Sequence, residues 1–150
     1  MKHDDHHCQA LVLLCIDFRF WQATLRFVKN QLKIKSFDIL ALAGGAKSLA
    51  CLAVRRASST KKIYQRTVLD NIKISIQLHQ IKKIILVNHQ DCGAYGGSQQ
   101  FKSLKKEITF HQKELQKARR LLKRLYPRLR VINVFVNFQN VTIVRNRSNL

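Results

Sequence analysis

Two short segments carry the side chains most able to do chemistry. Cys15-Ile16-Asp17-Phe18-Arg19 closes one apolar run, and His89-Gln90-Asp91-Cys92-Gly93 closes another. In an extended chain, alternate residues share a side, so Cys15, Asp17 and Arg19 are expected to face together while Ile16, Phe18 and Phe20 face the core. A His and a Cys three residues apart at a strand-to-loop junction can both reach one ion, and a thiolate with an imidazole suits zinc. Taken singly, the first segment reads more simply as a buried cysteine beside a surface ion pair, and the second leaves a metal pair and a structural pair open.

The elements around them decide whether the segments meet. Ala10 to Ile16 (ALVLLCI), Phe37 to Ala43 (FDILALA), Ile84 to Asn88 (IILVN) and Val131 to Phe138 (VINVFVNF) are continuous apolar runs of strand length, the pattern of strands buried on both faces. Val141 to Val144 adds a possible short fifth strand at an edge.

Between the runs, helical spacing recurs. Trp21, Leu25, Val28 and Leu32 share a face. So do Val68, Ile72, Ser75, Ile76 and His79, with Thr60 as the cap, and Phe101, Leu104, Ile108, His111, Leu115, Ala118, Leu122 and Leu125, with Ser98 as the cap. Strands alternating with helices predict an α/β doubly wound, mostly parallel sheet of about four strands with helices on both faces. Residues 1–9 read as a polar tail and 10–150 as one domain.

In such sheets ligands gather at the carboxyl ends of the strands, where strand order reverses. Both reactive segments sit at that edge. Adjacent strands would bring together two Cys and one His, and three protein ligands with a fourth position open mark catalytic rather than structural zinc.

C-x-D-x-R after the first strand, the glycine pair in Leu42-Ala43-Gly44-Gly45 and H-x-x-C-G after the third strand resemble a β-class carbonic anhydrase. The resemblance covers roughly residues 10 to 138. It implies that Cys15, His89 and Cys92 hold one zinc ion and that Asp17 and Arg19 form the catalytic dyad beside it. The implied activity is reversible hydration of carbon dioxide to bicarbonate by a zinc-bound hydroxide. Asp17 would orient that nucleophile, and Arg19 would hold Asp17 ionised and off the metal. The family is built from dimers, which implies a homodimer or higher homo-oligomer here. The same centre also suits a related small electrophile, carbon disulfide or carbonyl sulfide.

Composition bounds the rest. The chain has 150 residues, 46% of them hydrophobic, enough for one stable core. Its longest apolar stretch is far below the roughly 18 residues of a membrane span. Asp4, Asp5 and three histidines precede that stretch where a secretory signal would carry basic residues, so the chain is read as cytoplasmic, where Cys8, Cys15, Cys51 and Cys92 are expected reduced. Cys51 reads as core.

The net charge of +20 gives a second functional class: a basic nucleic-acid-binding module with structural zinc, in which the Lys/Arg-rich stretch 102–130 tracks phosphates. No aromatic-rich strand of the RNA-binding type accompanies that stretch, which weighs against this reading. The tract His3, His6, His7 and Cys8 with Asp4 and Asp5 resembles a metal binder, and on sequence grounds its binding is expected to be adventitious. Gly44 to Ser48 opens a helix after a strand but lacks the spacing of a phosphate loop.

Overall fold

The computed structural model describes residues 6–50 and 59–144, with the first four residues after the break described by backbone alone. In chain order the elements are β1 (Ala10–Leu14), α1 (Phe18–Asn30), β2 (Phe37–Ala41), α2 (Lys47–Ala50), α3 (Ser59–Leu78), β3 (Lys83–His89), α4 (Leu104–Leu125), β4 (Arg130–Val136) and β5 (Val141–Ile143). The sheet order is β2-β1-β3-β4-β5, parallel throughout except for the antiparallel β4–β5 pair. This is the doubly wound α/β architecture expected from the alternating runs, including its short edge strand. Cys51 and the side chain of Thr60 lie outside the described residues.

Strand alternation splits the core in two. Leu11, Leu13, Ile84, Leu86, Val131 and Phe135 pack under α2, α3 and α4, while Ala10, Val12, Leu14, Ile85, Val87, Val134 and Val136 pack under α1. β1 and β3 are buried on both faces, which is why their runs are apolar without interruption. The chain leaves β1 for β2 on one side and returns to β3 on the other, so strand order reverses between β1 and β3. A crevice therefore opens at their carboxyl ends.

Several local expectations are corrected. β2 is the sheet's edge and is only half-buried, with Ile39 53% exposed, rather than buried on both faces. The extended geometry expected through Arg19 stops at Asp17. The Asp17 side chain accepts the Arg19 N–H at 3.1 Å and so caps α1. Ile16 and Phe18 consequently point to solvent instead of the core, and only Phe20 of that trio is buried.

The inner face of α1 is Phe20, Thr24 and Val28, so Trp21 stands partly exposed. α4 begins five residues later than expected, capped by Ser103 rather than Ser98. Its buried stripe runs through Glu107, His111, Glu114, Leu115, Ala118, Leu121 and Leu122, leaving Leu104 and Leu125 exposed. The core positions expected on α3, Val68, Ile72 and Ser75, are buried. Cys8 and Gln9, read as tail, are hydrogen-bonded: Cys8 N–H donates to His79 O at 2.9 Å and Gln9 N–H to Ser36 O at 2.9 Å. Among the described residues no helix is long and apolar enough to cross a membrane.

Candidate metal centre

Cys15 follows β1 directly and His89 is the last residue of β3, so the β1–β3 pairing sets them side by side at the crevice. The loop after His89 turns back at Asp91, which has a φ of +54°, and this delivers Cys92 to the same place. The ligand atoms of Cys15, His89 and Cys92 lie within 4.8 Å of one another. The two sulfurs are 4.0 Å apart, unbonded, and all three residues are buried.

Gly45 makes the approach possible. Its φ is +53°, and a Cβ there would fall 2.4 Å from the Val87 carbonyl oxygen. The turn thereby brings the Gly44 N–H to 3.3 Å from Cys15 Sγ. At Cys92 the backbone N–H groups of Ala94 and Tyr95 play the corresponding part.

His89 is oriented from two directions. Nδ1 donates to the Gln90 carbonyl at 2.7 Å, and the ring stacks on Phe20 with centroids 4.5 Å apart. Nε2 is left buried without a partner. An unpartnered buried imidazole nitrogen beside two sulfurs is costly unless something binds it, and two sulfurs with one nitrogen match the donor preference of zinc. The residues present fit that ion.

The two sulfurs lie within hydrogen-bonding reach of one another. Contact with Cys92 pulls the Cys15 thiol well below its ordinary value, with the Gly44 N–H and the Asp17 N–H adding to this and burial opposing it. The same contact and burial push Cys92 up.

Asp17 and Arg19 stand beside this group as an ion pair. Arg19 Nη2 donates to Asp17 Oδ2 at 2.7 Å and Nε to Oδ1 at 3.0 Å, and the guanidinium holds the Asp17 carboxyl below the usual carboxylate range. The five residues singled out in the sequence are therefore brought together, the dyad through a helix cap rather than through strand alternation.

Three further residues support the group, of which Glu107 and Asn88 had no sequence signal of their own while Asp91 lies within the second reactive segment. Arg19 Nη1 also donates to Asp91 Oδ2 at 3.0 Å, tying the first loop to the second. Glu107, 1% exposed on α4, accepts the Asp91 N–H at 2.6 Å and the Ser98 hydroxyl at 2.8 Å, which anchors the His89–Cys92 turn from behind. Asn88 links the strand to that layer, its Oδ1 taking the Ala46 N–H at 3.4 Å and its amide facing His111 Nδ1 at 3.3 Å.

The basic stretch on α4 is partly spent locally. Lys117 pairs with Glu114 at 2.6 Å, Arg119 donates to the Val131 carbonyl, and Lys123 donates to the Leu129 carbonyl at 3.0 Å. Lys113, Lys117 and Arg120 line an open cleft of about 500 Å³ between α4 and Val144.

The chain resembles an uncharacterized protein of Rickettsia bellii, 30% identical over 139 residues that span 91% of this chain and 80% of that one. An uncharacterized protein of Rickettsia conorii is 29% identical over 91% and 71% of the two chains. Among solved structures, the carbonic anhydrase from Glaciozyma antarctica aligns with a TM-score of 0.58 at 13% identity, covering 91% of this chain and 81% of that one. One of two tetrameric β-carbonic anhydrases from Sordaria macrospora aligns with a TM-score of 0.59 at 12% identity, covering 93% and 81%. At such identities the likeness is one of fold. The sequence itself matches, over residues 5–145, the family described as "Putative carbonic anhydrase", and the chain belongs to that family.

Proposed function

We propose that the chain is a zinc enzyme that reversibly hydrates carbon dioxide to bicarbonate, with Cys15, His89 and Cys92 holding one zinc ion. The observation that carries this reading is the buried, unpartnered His89 Nε2 beside two thiol sulfurs, with the Asp17–Arg19 ion pair alongside. Zinc bound there would lower the pKa of a coordinated water towards about 7, supplying a nucleophile at neutral pH.

Asp17, kept ionised, acts only as an acceptor, so a hydroxyl donating to it turns its lone pair towards the substrate. Arg19 grips both Asp17 oxygens and so restrains the carboxylate from turning onto the metal. A cleft of about 420 Å³ is lined by Leu14, Cys15, Ile16, Trp21, Leu25, Ile39 and Ala41. A lining without charged side chains beside Cys15 suits a small neutral substrate. Carbon dioxide fits it, as do carbon disulfide and carbonyl sulfide.

The same apolar rim, continuous with the half-buried edge strand β2, supports assembly as a homodimer. Metal analysis tests the centre: wild type should carry zinc that Cys92→Ser loses. A wild type without zinc at that centre contradicts the reading.

A further inference from the structure

A second group of metal-ligating side chains lies at the other end of the sheet. Cys8 precedes β1, Asp38 is the second residue of β2, and His79 follows α3. All three sit at the amino ends of the parallel strands, whereas Cys15 and His89 sit at the carboxyl ends. The ligand atoms of Cys8, Asp38 and His79 fall within 4.8 Å of one another.

Backbone contacts hold them there. The Cys8 N–H donates to the His79 carbonyl at 2.9 Å, and Gln9 Oε1 accepts the Lys35 N–H at 2.6 Å, so the tract is fastened to both neighbouring loops. His79 Nδ1 faces Asp38 Oδ2 at 2.8 Å, and the Ser75 hydroxyl donates to the same oxygen. The Asp38 carboxylate and the His79 imidazole are thus already turned towards one another, and a cation taking both would replace the hydrogen bond between them.

The place is reachable. His79 and Asp38 side chains are 35% and 27% exposed, and they line an open cleft of about 550 Å³ whose wall includes His6 and His7. Beside the Asp–His pair stand the Cys8 thiol, which donates to the Ala10 carbonyl at 3.4 Å, and the imidazoles of His6 and His7 on the cleft wall. Zinc ligands at about 2.0–2.3 Å from the ion stand roughly 3.3–3.8 Å apart, so an adjustment of about 1 Å by half-exposed side chains closes the group on a cation.

We propose that Cys8, Asp38 and His79, completed by the imidazole of His6 or His7, form a second zinc site that fastens the amino-terminal tract to β2 and the end of α3. Four protein ligands make it structural rather than catalytic. The tract that reads in isolation as an adventitious binder becomes a built site because residues far away in sequence supply two of its ligands.

The test counts metal. Untagged full-length chain is saturated with Zn²⁺, dialysed against zinc-free buffer and measured for zinc and protein. Wild type should hold two zinc ions; Cys8→Ser, His79→Gln and Asp38→Asn should each hold one. Cys92→Ser should also hold one, which separates this site from the centre at Cys15, His89 and Cys92. A wild type whose single zinc disappears in Cys92→Ser overturns the proposal. So does His79→Gln retaining two, because then the tract binds unaided.

A second readout needs no folded variant. Zn²⁺ should slow alkylation of Cys8 in wild type by about tenfold, scored by peptide mass spectrometry. Unchanged Cys8 reactivity overturns the proposal.

Discussion

Arg19 donates a hydrogen bond to the Asp91 carboxylate at 3.0 Å across 72 residues of sequence, while the same guanidinium grips Asp17. One cation therefore couples the loop that carries Cys15 to the loop that carries His89 and Cys92. Asp91 in turn is held by the Ser98 N–H at 2.9 Å and through its own N–H by buried Glu107. The two halves of the centre meet in a chain of charge-assisted contacts, which the side chain of any one residue could not replace.

Replacing Arg19 should therefore damage turnover more than metal binding. Arg19→Ala frees Asp17 to turn, and carbon dioxide hydration is expected to fall by about 100-fold while zinc content stays at the wild-type value. Arg19→Lys should recover little, because a point charge cannot bridge two carboxylates in the planar fork geometry. Stopped-flow assays with parallel metal analysis check this, and zinc loss in step with activity would mean that the residue only holds the loops.

His111 gives the fold a pH dependence. Burial pushes its imidazole down to about 4, and repulsion from His89 adds to this. Between that value and the ordinary one of about 6.5, the unfolded chain takes up a proton that the folded chain refuses. Its stabilising effect is thus complete above about pH 6.5 and is lost as pH falls towards 4, by up to about 3 kcal/mol. Thermal melts of wild type and His111→Phe at about pH 7.5 and about pH 5 isolate the effect, because the other titrating groups are common to both chains. Wild type should lose more melting temperature on acidification; equal losses contradict the assignment.

The exposed apolar side chains beside β2 predict self-association. Ile16, Trp21 and Ile39 are 63%, 41% and 53% exposed and line one cleft, beside a strand that is the edge of the sheet among the described residues. Sedimentation should show wild type as a dimer or larger at micromolar concentration and Ile39→Lys shifted towards monomer. A wild type that stays monomeric at high concentration removes this interface.

What the sequence made legible follows from how local each signal was. β1 and β3 were readable because burial on both faces demands unbroken apolar runs. FDILALA reads the same way, yet β2 is an edge; its rank in the sheet comes from topology, and its apolar outer face is surface. His89 and Cys92 were readable because they stand three positions apart at a strand end. The companionship of Asp17 and Arg19 was also readable, but its route was not, since capping by Asp17 starts α1 where an extended chain was expected. Glu107 looked like one more charge on a basic helix. Its burial under the Asp91 turn depends on where α4 crosses the sheet, and nothing in the spacing of its neighbours encodes that.

The most direct measurement is stopped-flow carbon dioxide hydration by zinc-quantified protein from about pH 6.5 to about pH 9, wild type beside Asp17→Asn. Wild type should accelerate hydration with a rate that rises through about pH 7, and Asp17→Asn should keep its zinc and lose about 100-fold in rate. Zinc-loaded wild type that hydrates carbon dioxide no faster than buffer, or an Asp17→Asn chain as fast as wild type, would contradict the assignment.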